Sequence, residues 1–459
     1  MDVMAKLVKN VINTRFNNLT VGSVGSAKKA LIDNIGAMLA GSSIEGCRLL
    51  VEAIREMGGA GDSTISVFGE KVPVNMATLA NAAMTRAADI DDVNDAFPLH
   101  PGVIIVPTAL TISERLRGVS GRDLITAVAL GQDLMVRMAY ATSVNPIASG
   151  RYNLFKVFAA CATAGKLLRL DEEGLLNAMG IAYAQLAGGD TQALSEGVMT
   201  SYVQEGLAGK AAVEAALFAR KGITGTKNVL EGPRGFFGAF EPNPKLDALT
   251  SELGSAFRGG DISIKPYASC RSSHGAVDLA LSIVKDLKVH PADIERVTVR
   301  VNEITYKLTC DPIDKKLRPM TQSEAQFSLP FIVATALIRG DFFIEELSEG
   351  VLNNKEILSL AARVKPVLDQ GCETGCALGN TVMEIKTCDG RKFSATKLFP
   401  KGNPKDPMSA EECLDKLRKC VKYSYRPFPD SQIDRITDML SNLEHLDDLR
   451  QLVRLLVPD

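Results

Sequence analysis

The sequence predicts a mostly α-helical protein in which both chain ends build one large all-α domain and an α+β domain is inserted between them. Three observations carry this expectation. Apolar residues recur at helical spacing up to Gly259, strand-like alternation is confined to the stretch that follows, and helical patterning returns after Pro407. The expected divisions are 1–262 and 401–459 for the helical domain and 263–400 for the α+β domain.

In the first stretch, Ala27 to Leu39 sets Leu31, Ile32, Ile35 and Leu39 at helical spacing. Met76 to Ala88 is rich in alanine, as in a tightly packed buried helix, and Leu124 to Met138, Val157 to Leu168 and Glu172 to Gly188 repeat the theme. Only Thr64 to Phe68 reads as a short strand. Beyond Gly259, Ile294 to Val301 alternates through Val297, Val299 and Val301, the pattern of a half-buried strand. Val382 to Lys386 and Lys392 to Thr396 flank the Asp389-Gly390 turn of a hairpin. Helical patterns at His274 to Leu287, Ser323 to Ile338 and Lys355 to Val364 lie among these strands. Near the end, Ser409 and Glu412 form a capping box that opens a helix to Lys422, followed by helices over Ser431 to Leu443 and Leu446 to Leu456.

Composition removes several function classes. Of 459 residues, 46% are hydrophobic and 23% charged, enough apolar material for a large core, so global disorder is excluded. Lysine and arginine number 52 against 54 acidic residues, so there is no basic excess for nucleic acid or an anionic membrane. The longest apolar runs, such as Val103 to Ile112, are about half the length a transmembrane helix needs. The N-terminal segment mixes charges into a helical pattern and lacks the apolar core of a secretory signal. Nine cysteines, an odd number, read as reduced thiols in a cytoplasmic setting, and the Cys372–Cys376 pair lacks a second pair to complete a zinc site. A soluble cytoplasmic protein is the expectation.

The densest polar segment is Asp89-Ile90-Asp91-Asp92-Val93-Asn94-Asp95, followed by Ala96-Phe97-Pro98-Leu99-His100-Pro101-Gly102. Its aspartates read as a solvated loop with N-capping carboxylates, or as hard-cation ligands whose spacing matches no EF-hand loop. His100 stands just before a helix N-terminus, where the dipole favours a neutral imidazole able to accept a proton, and a nearby aspartate could orient its other ring nitrogen. A purely structural hydrogen bond is the competing reading. His274 is similarly set in Lys265-Pro266-Tyr267-Ala268-Ser269-Cys270-Arg271-Ser272-Ser273-His274. Helix-start N–H groups, a bidentate Arg271 and the point charge of Lys265 suit an acidic ligand; a capped surface helix with solvated charges is the alternative. Lys210, one turn into a small-residue helix, faces either a cleft anion or solvent. His290 and His445 read as surface residues. No P-loop, G-x-S-x-G elbow or H-E-x-x-H motif occurs.

Taken in order, these segments resemble the MmgE/PrpD family: the Asp-rich run ending in His-Pro, the segment around Lys210, Lys-Pro-Tyr-x-x-Cys-Arg-x-x-His, Glu324-Ala325-Gln326-Phe327-Ser328, and Pro404-Lys405-Asp406-Pro407-Met408. The family includes 2-methylcitrate dehydratase, cis-aconitate decarboxylase and iminodisuccinate epimerase. The resemblance implies a helical domain with an α+β lid, a homodimer, no cofactor or metal, and an active site between the domains for a small carboxylic acid. It implies His100 and His274 as acid and base, Asp89 or Asp92 as orienting groups, and Lys210 as a catalytic cation. Lys265, Arg271, Ser273 and Asn94 are the expected substrate contacts. A dehydratase-like lyase is the expected activity, with an epimerase, a decarboxylase or a non-catalytic carboxylate-binding protein as alternatives. Departures from the family pattern are Asp92-Val93-Asn94 where relatives show Asp-Asp-Thr followed by His or Trp, so that a hydroxyl is lost, no histidine in Gly150-Arg151-Tyr152-Asn153, Ser201, Tyr202 and Glu205 in place of a basic pair and a histidine, and Phe331 in place of a tyrosine. Arg151, Lys156 or Arg234 are candidates to restore the missing positive charge.

Overall fold

Helices account for 58% of the protein and strands for 8% in the computed structural model, which describes residues 2–143, 153–186, 188–287, 289–374 and 377–459. The protein is mostly α with an α+β portion. The chain divides into two units: Met1–Asn94, Leu99–Ile262 and Ser409–Asp459 form the first, and Asp95–Pro98 with Ser263–Met408 form the second.

Long helices with small-residue faces dominate the first unit: α1 (Val21–Gly41), α2 (Val74–Ala87), α3 (Gly102–Leu116), α4 (Gly121–Ala141), α5 (Lys156–Leu167) and α6 (Thr200–Arg220). Helix α1 is capped by Thr20, whose hydroxyl accepts from the Ser23 N–H at 3.1 Å, and it is buried continuously from Ala30 to Gly41. Helices α2 and α6 pack closely because their alanines and glycines let the backbones meet. At Gly206 an added Cβ would lie 2.1 Å from the Leu79 carbonyl oxygen, so only glycine fits that crossing. Helix α4 starts at the Ser120–Asp123 capping box. Further along it the wholly buried Arg137 is held by Asp133 at 2.9 Å and donates to the carbonyls of Ser251 and Ala256, fixing an irregular segment. The helix Ala410–Val421 opens at the expected Ser409–Glu412 capping box and packs on α1. The expected Thr64 to Phe68 strand is reduced to Ser63–Thr64, paired antiparallel with Lys71–Val72.

The second unit is built on a four-stranded sheet of order β2-β1-β3-β4, from β1 (Ile294–Val301), β2 (Val364–Leu368), β3 (Thr381–Thr387) and β4 (Lys392–Lys397). Val299 of β1 pairs with Pro366 in the parallel direction and with Met383 in the antiparallel one. The inward residues Val297, Val299, Val301, Met383 and Ile385 are buried, and helices α7 (His274–Leu287) and α8 (Leu329–Arg339) pack together. Two helical expectations are revised here. The Ser323 to Ile338 pattern is broken at Ser328, whose hydroxyl caps α8 by accepting from the Phe331 N–H at 3.2 Å, with Pro330 in the first turn. The Lys355 to Val364 pattern ends as helix at Ala361, and Val364–Leu368 becomes an edge strand, where Pro366 forfeits no needed ladder bond. Among the described residues no helix is long and apolar enough to cross a membrane.

Candidate active site

The acidic loop begins where α2 ends. Arg86, in the last turn of α2, reaches back over the loop to pair with Asp89 and, at 3.4 Å, with Asp91. Asp89 sits in the left-handed region at φ +53°, a conformation that aspartate tolerates better than most side chains. The loop then turns inward. Asp91 and Asp92 are fully buried, and Asn94 is nearly so, its amide donating to the Asp261 carbonyl at 3.1 Å and lying 3.4 Å from the Tyr140 hydroxyl.

His100 is oriented by this loop. Its Nδ1 lies 2.6 Å from Asp91 Oδ2 and 3.0 Å from the Asp92 carbonyl oxygen. Both partners are acceptors, so Nδ1 carries the proton. Nε2 is thereby the nitrogen that can take up or give back a proton, with the buried Asp91 carboxylate stabilising the imidazolium that forms. The aspartate on His100 is thus Asp91, not Asp89 or Asp92. The Asp92 side chain turns instead to α3, where its Oδ1 accepts from the Gly102 N–H at 2.8 Å and satisfies one orphan donor at the helix start. Burial, together with the nearby charges of Asp33 and Asp91, pushes the Asp92 carboxyl well above its ordinary range. A Cβ at Gly102 would come within 1.9 Å of the Asn34 side-chain amide, so a side chain at this helix start would force Asn34 to shift.

In the second unit His274 begins α7 and is fully buried. Its Nε2 lies 3.2 Å from the Ser269 carbonyl oxygen, and its Nδ1 lies 3.2 Å from the Arg271 guanidinium. A carbonyl only accepts and a guanidinium only donates, so these two contacts together select the neutral imidazole with its proton on Nε2. Arg271 is itself fixed on all sides. It grips Asp95 through two parallel bonds of 2.9 Å and donates to the Lys401 carbonyl at 2.8 Å and toward the Pro400 carbonyl at 3.4 Å. Burial raises the Asp95 carboxyl, but the Arg271 charge and hydrogen bonds, with the Asn403 amide at 2.7 Å, outweigh it and hold the group below its ordinary range. Ser273 closes the same turn, its hydroxyl donating to the Cys270 carbonyl at 2.8 Å, and Lys265 is buried in the strand-like segment leading in.

The chain matches the MmgE/PrpD N-terminal domain over residues 5–249 and the MmgE/PrpD C-terminal domain over residues 267–443. It belongs to the MmgE/PrpD family. Curated relatives are similar along nearly their whole lengths. Cis-aconitate decarboxylase of Aspergillus terreus is 27% identical, over 94% of this chain and 91% of the relative. The cis-aconitate decarboxylase-like protein oryM of Aspergillus oryzae is 25% identical, over 99% and 97%. Human cis-aconitate decarboxylase is 23% identical, over 99% and 95%.

Not every residue singled out in this family member joins these two clusters. Lys210 is partly exposed on α6, where its ammonium pairs at 2.7 Å with Glu214, one turn on. Glu214 in turn accepts from Asn75 in the first turn of α2, the end of that helix opposite the acidic loop. Lys156 is buried and bonded to Glu205 at 2.8 Å, so one family position that has lost its basic residue serves an internal ion pair. The Arg234 carbonyl accepts from Tyr183, while Gly150, Arg151, Tyr152 and Cys376 lie outside the described residues. Phe331 is wholly buried in α8. Among the described residues no group of three or more His, Cys, Asp or Glu side chains is arranged to hold a metal ion. Sequence reasoning passed over Asp91, Asp95 and Arg86. For Asp91 the available signal was its place in the same run as His100; Asp95 and Arg271 stand 176 positions apart and offered none.

Proposed function

We propose that this protein is a lyase that moves a proton at the carbon next to a carboxylate of a small di- or tricarboxylic acid, without a cofactor. The observation that carries the reading is the His100–Asp91 pair, 2.6 Å apart at the start of α3. A buried carboxylate fixes the tautomer with the proton on Nδ1, and the proton transfer is assigned to Nε2. Such positioned acid–base groups contribute about 10²–10⁴-fold to rate.

Loss of water is the step we assign. His100 Nε2 removes the proton next to the carboxylate, the carbanion-like charge spreads into that carboxylate, and the hydroxyl on the adjacent carbon leaves as water. The proton that His100 takes up is the one we assign to the leaving hydroxyl, because both ring nitrogens of the buried His274 are engaged, Nε2 by the Ser269 carbonyl and Nδ1 by the Arg271 guanidinium. Lys265 supplies positive charge for the substrate carboxylates, with Ser273 and Asn94 as neutral contacts. Lys210 is given no part in the step, because Glu214 holds its ammonium near the far end of α2. Arg271 holds His274 instead of binding substrate, because Asp95, His274 and the two carbonyls take up its five N–H groups. Decarboxylation is the second reading, favoured by the names of the relatives: carbon dioxide leaves first, its bonding pair stays on the carbon, and His100, entering the step as the imidazolium, gives its Nε2 proton to that carbon.

A panel of di- and tricarboxylic acids incubated in deuterated water and followed by NMR tests both. Conversion or deuterium labelling of at least one acid supports the lyase. Loss of water against loss of carbon dioxide separates the two readings. Binding of acids with no exchange or conversion would make the protein a carboxylate-binding member of the family.

A further inference from the structure

We propose that Lys416 is a positioning residue for His100, acting through the backbone of the acidic loop and not through the substrate. This rests on the reading of His100 as the proton-transferring group. Lys416 lies on the helix Ala410–Val421, far along the chain from the loop, yet its buried ammonium donates both to Asp33 Oδ1 on α1 and to the carbonyl oxygen of Ile90. Ile90 immediately precedes Asp91. One ammonium therefore ties three separate stretches of the first unit together one residue before the carboxylate that orients His100.

The arrangement is costly for a contact that only fills space. Removing an ammonium from water costs several kcal/mol, and well-packed apolar residues generally replace buried ion pairs with no loss of stability. Burial alone would push the Lys416 ammonium toward its neutral form, but the Asp33 charge and hydrogen bond outweigh it and keep the group protonated. An apolar residue in its place could not hold the Ile90 carbonyl, which is buried within the unit and has to be bonded. Lys416 also balances Asp33, one of the two charges that press on Asp92, whose main-chain oxygen is the second acceptor for His100 Nδ1. Clamp, loop and imidazole form one connected set.

The test reads the His100 Nδ1 proton directly, without substrate. The chain has four histidines, so protein labelled with ¹⁵N only at histidine gives few ring signals, and the one lost in His100→Gln is assigned to His100. The proposal expects a slowly exchanging downfield Nδ1–H in the wild type and exchange at least about tenfold faster in Lys416→Met. Asp33→Asn, which keeps an acceptor of the same shape, is the second variant and decides the matter if Lys416→Met does not fold; it too is expected to speed exchange. Arg137→Met removes another buried cation from the same unit and is expected to leave the His100 signal unchanged. Wild-type exchange in a folded Lys416→Met, or in Asp33→Asn, overturns the proposal. So does an equal loss in Arg137→Met, or a wild type without the protected proton. A failed substrate panel would sink the lyase reading and leave this result standing.

Discussion

The Asp95 carboxylate meets the Arg271 guanidinium in a bidentate pair, both bonds 2.9 Å long, and the same guanidinium holds His274 Nδ1 at 3.2 Å. One buried anion thus helps to fix the tautomer of a histidine through the guanidinium that both of them engage. Removing one partner of a buried pair leaves the other charge uncompensated, at a cost of about 3–5 kcal/mol. Asp95→Ala is therefore expected to lose that much stability in denaturant unfolding at neutral pH. The Asp95 carboxyl is held below its ordinary value of 3.8, so its contribution is complete above that value and disappears as pH falls through the depressed one. The gap between wild type and variant should close on acidification. A gap independent of pH would contradict the pairing.

Asp92 gives the opposite sign. Its carboxyl is raised well above 3.8, so the folded protein keeps a proton that the unfolded chain releases once pH exceeds 3.8. Stability is lost as pH rises from there to the folded value, and above it the full cost of an ionisable group at this site remains. Asp92→Asn keeps an acceptor for the Gly102 N–H and removes the ionisation. The difference in melting temperature, variant minus wild type, is expected to grow in the variant's favour as pH is raised from about 4 to neutrality. A difference that stays flat or falls with pH would show that Asp92 is ionised in the fold.

At Gly102 the backbone of α3 approaches Asn34 too closely for a side chain. Gly102→Ala is expected to cost about 1–3 kcal/mol through overpacking. Asn34→Ala should return part of that cost when the two are combined, with a coupling beyond the roughly 0.5 kcal/mol of independent sites. Strict additivity in a double-mutant cycle would remove the steric explanation.

The periodic parts of the fold were legible in the sequence. Helix α1 and strand β1 were marked by their 3.6- and 2-residue apolar repeats, the β3–β4 hairpin by Asp389-Gly390, and the late helix by Ser409 and Glu412. Strand β2 was not legible, because Val364 to Leu368 is short and interrupted by Pro366, and its pairing with β1 is a long-range parallel contact. His100 stood out because histidines are few and an acidic run precedes it. Which aspartate serves it did not, since the loop from Asp89 to Asn94 has no period and its inward turn depends on partners as distant as Asp33 and Lys416. Arg271 was visible as a cation at a helix start. Its engagement with Asp95 depends on a chain crossing that no local pattern records.

The central claim is that His100, oriented by Asp91, transfers the proton. The measurement that tests it most directly is the rate of deuterium exchange or conversion on the best acid of the panel, compared among wild type, His100→Gln and Asp91→Asn at equal folded concentration. The account predicts a loss of about 10²–10⁴-fold in His100→Gln, and a smaller but clear loss in Asp91→Asn that falls on kcat with KM little changed. Full activity in folded His100→Gln would contradict it.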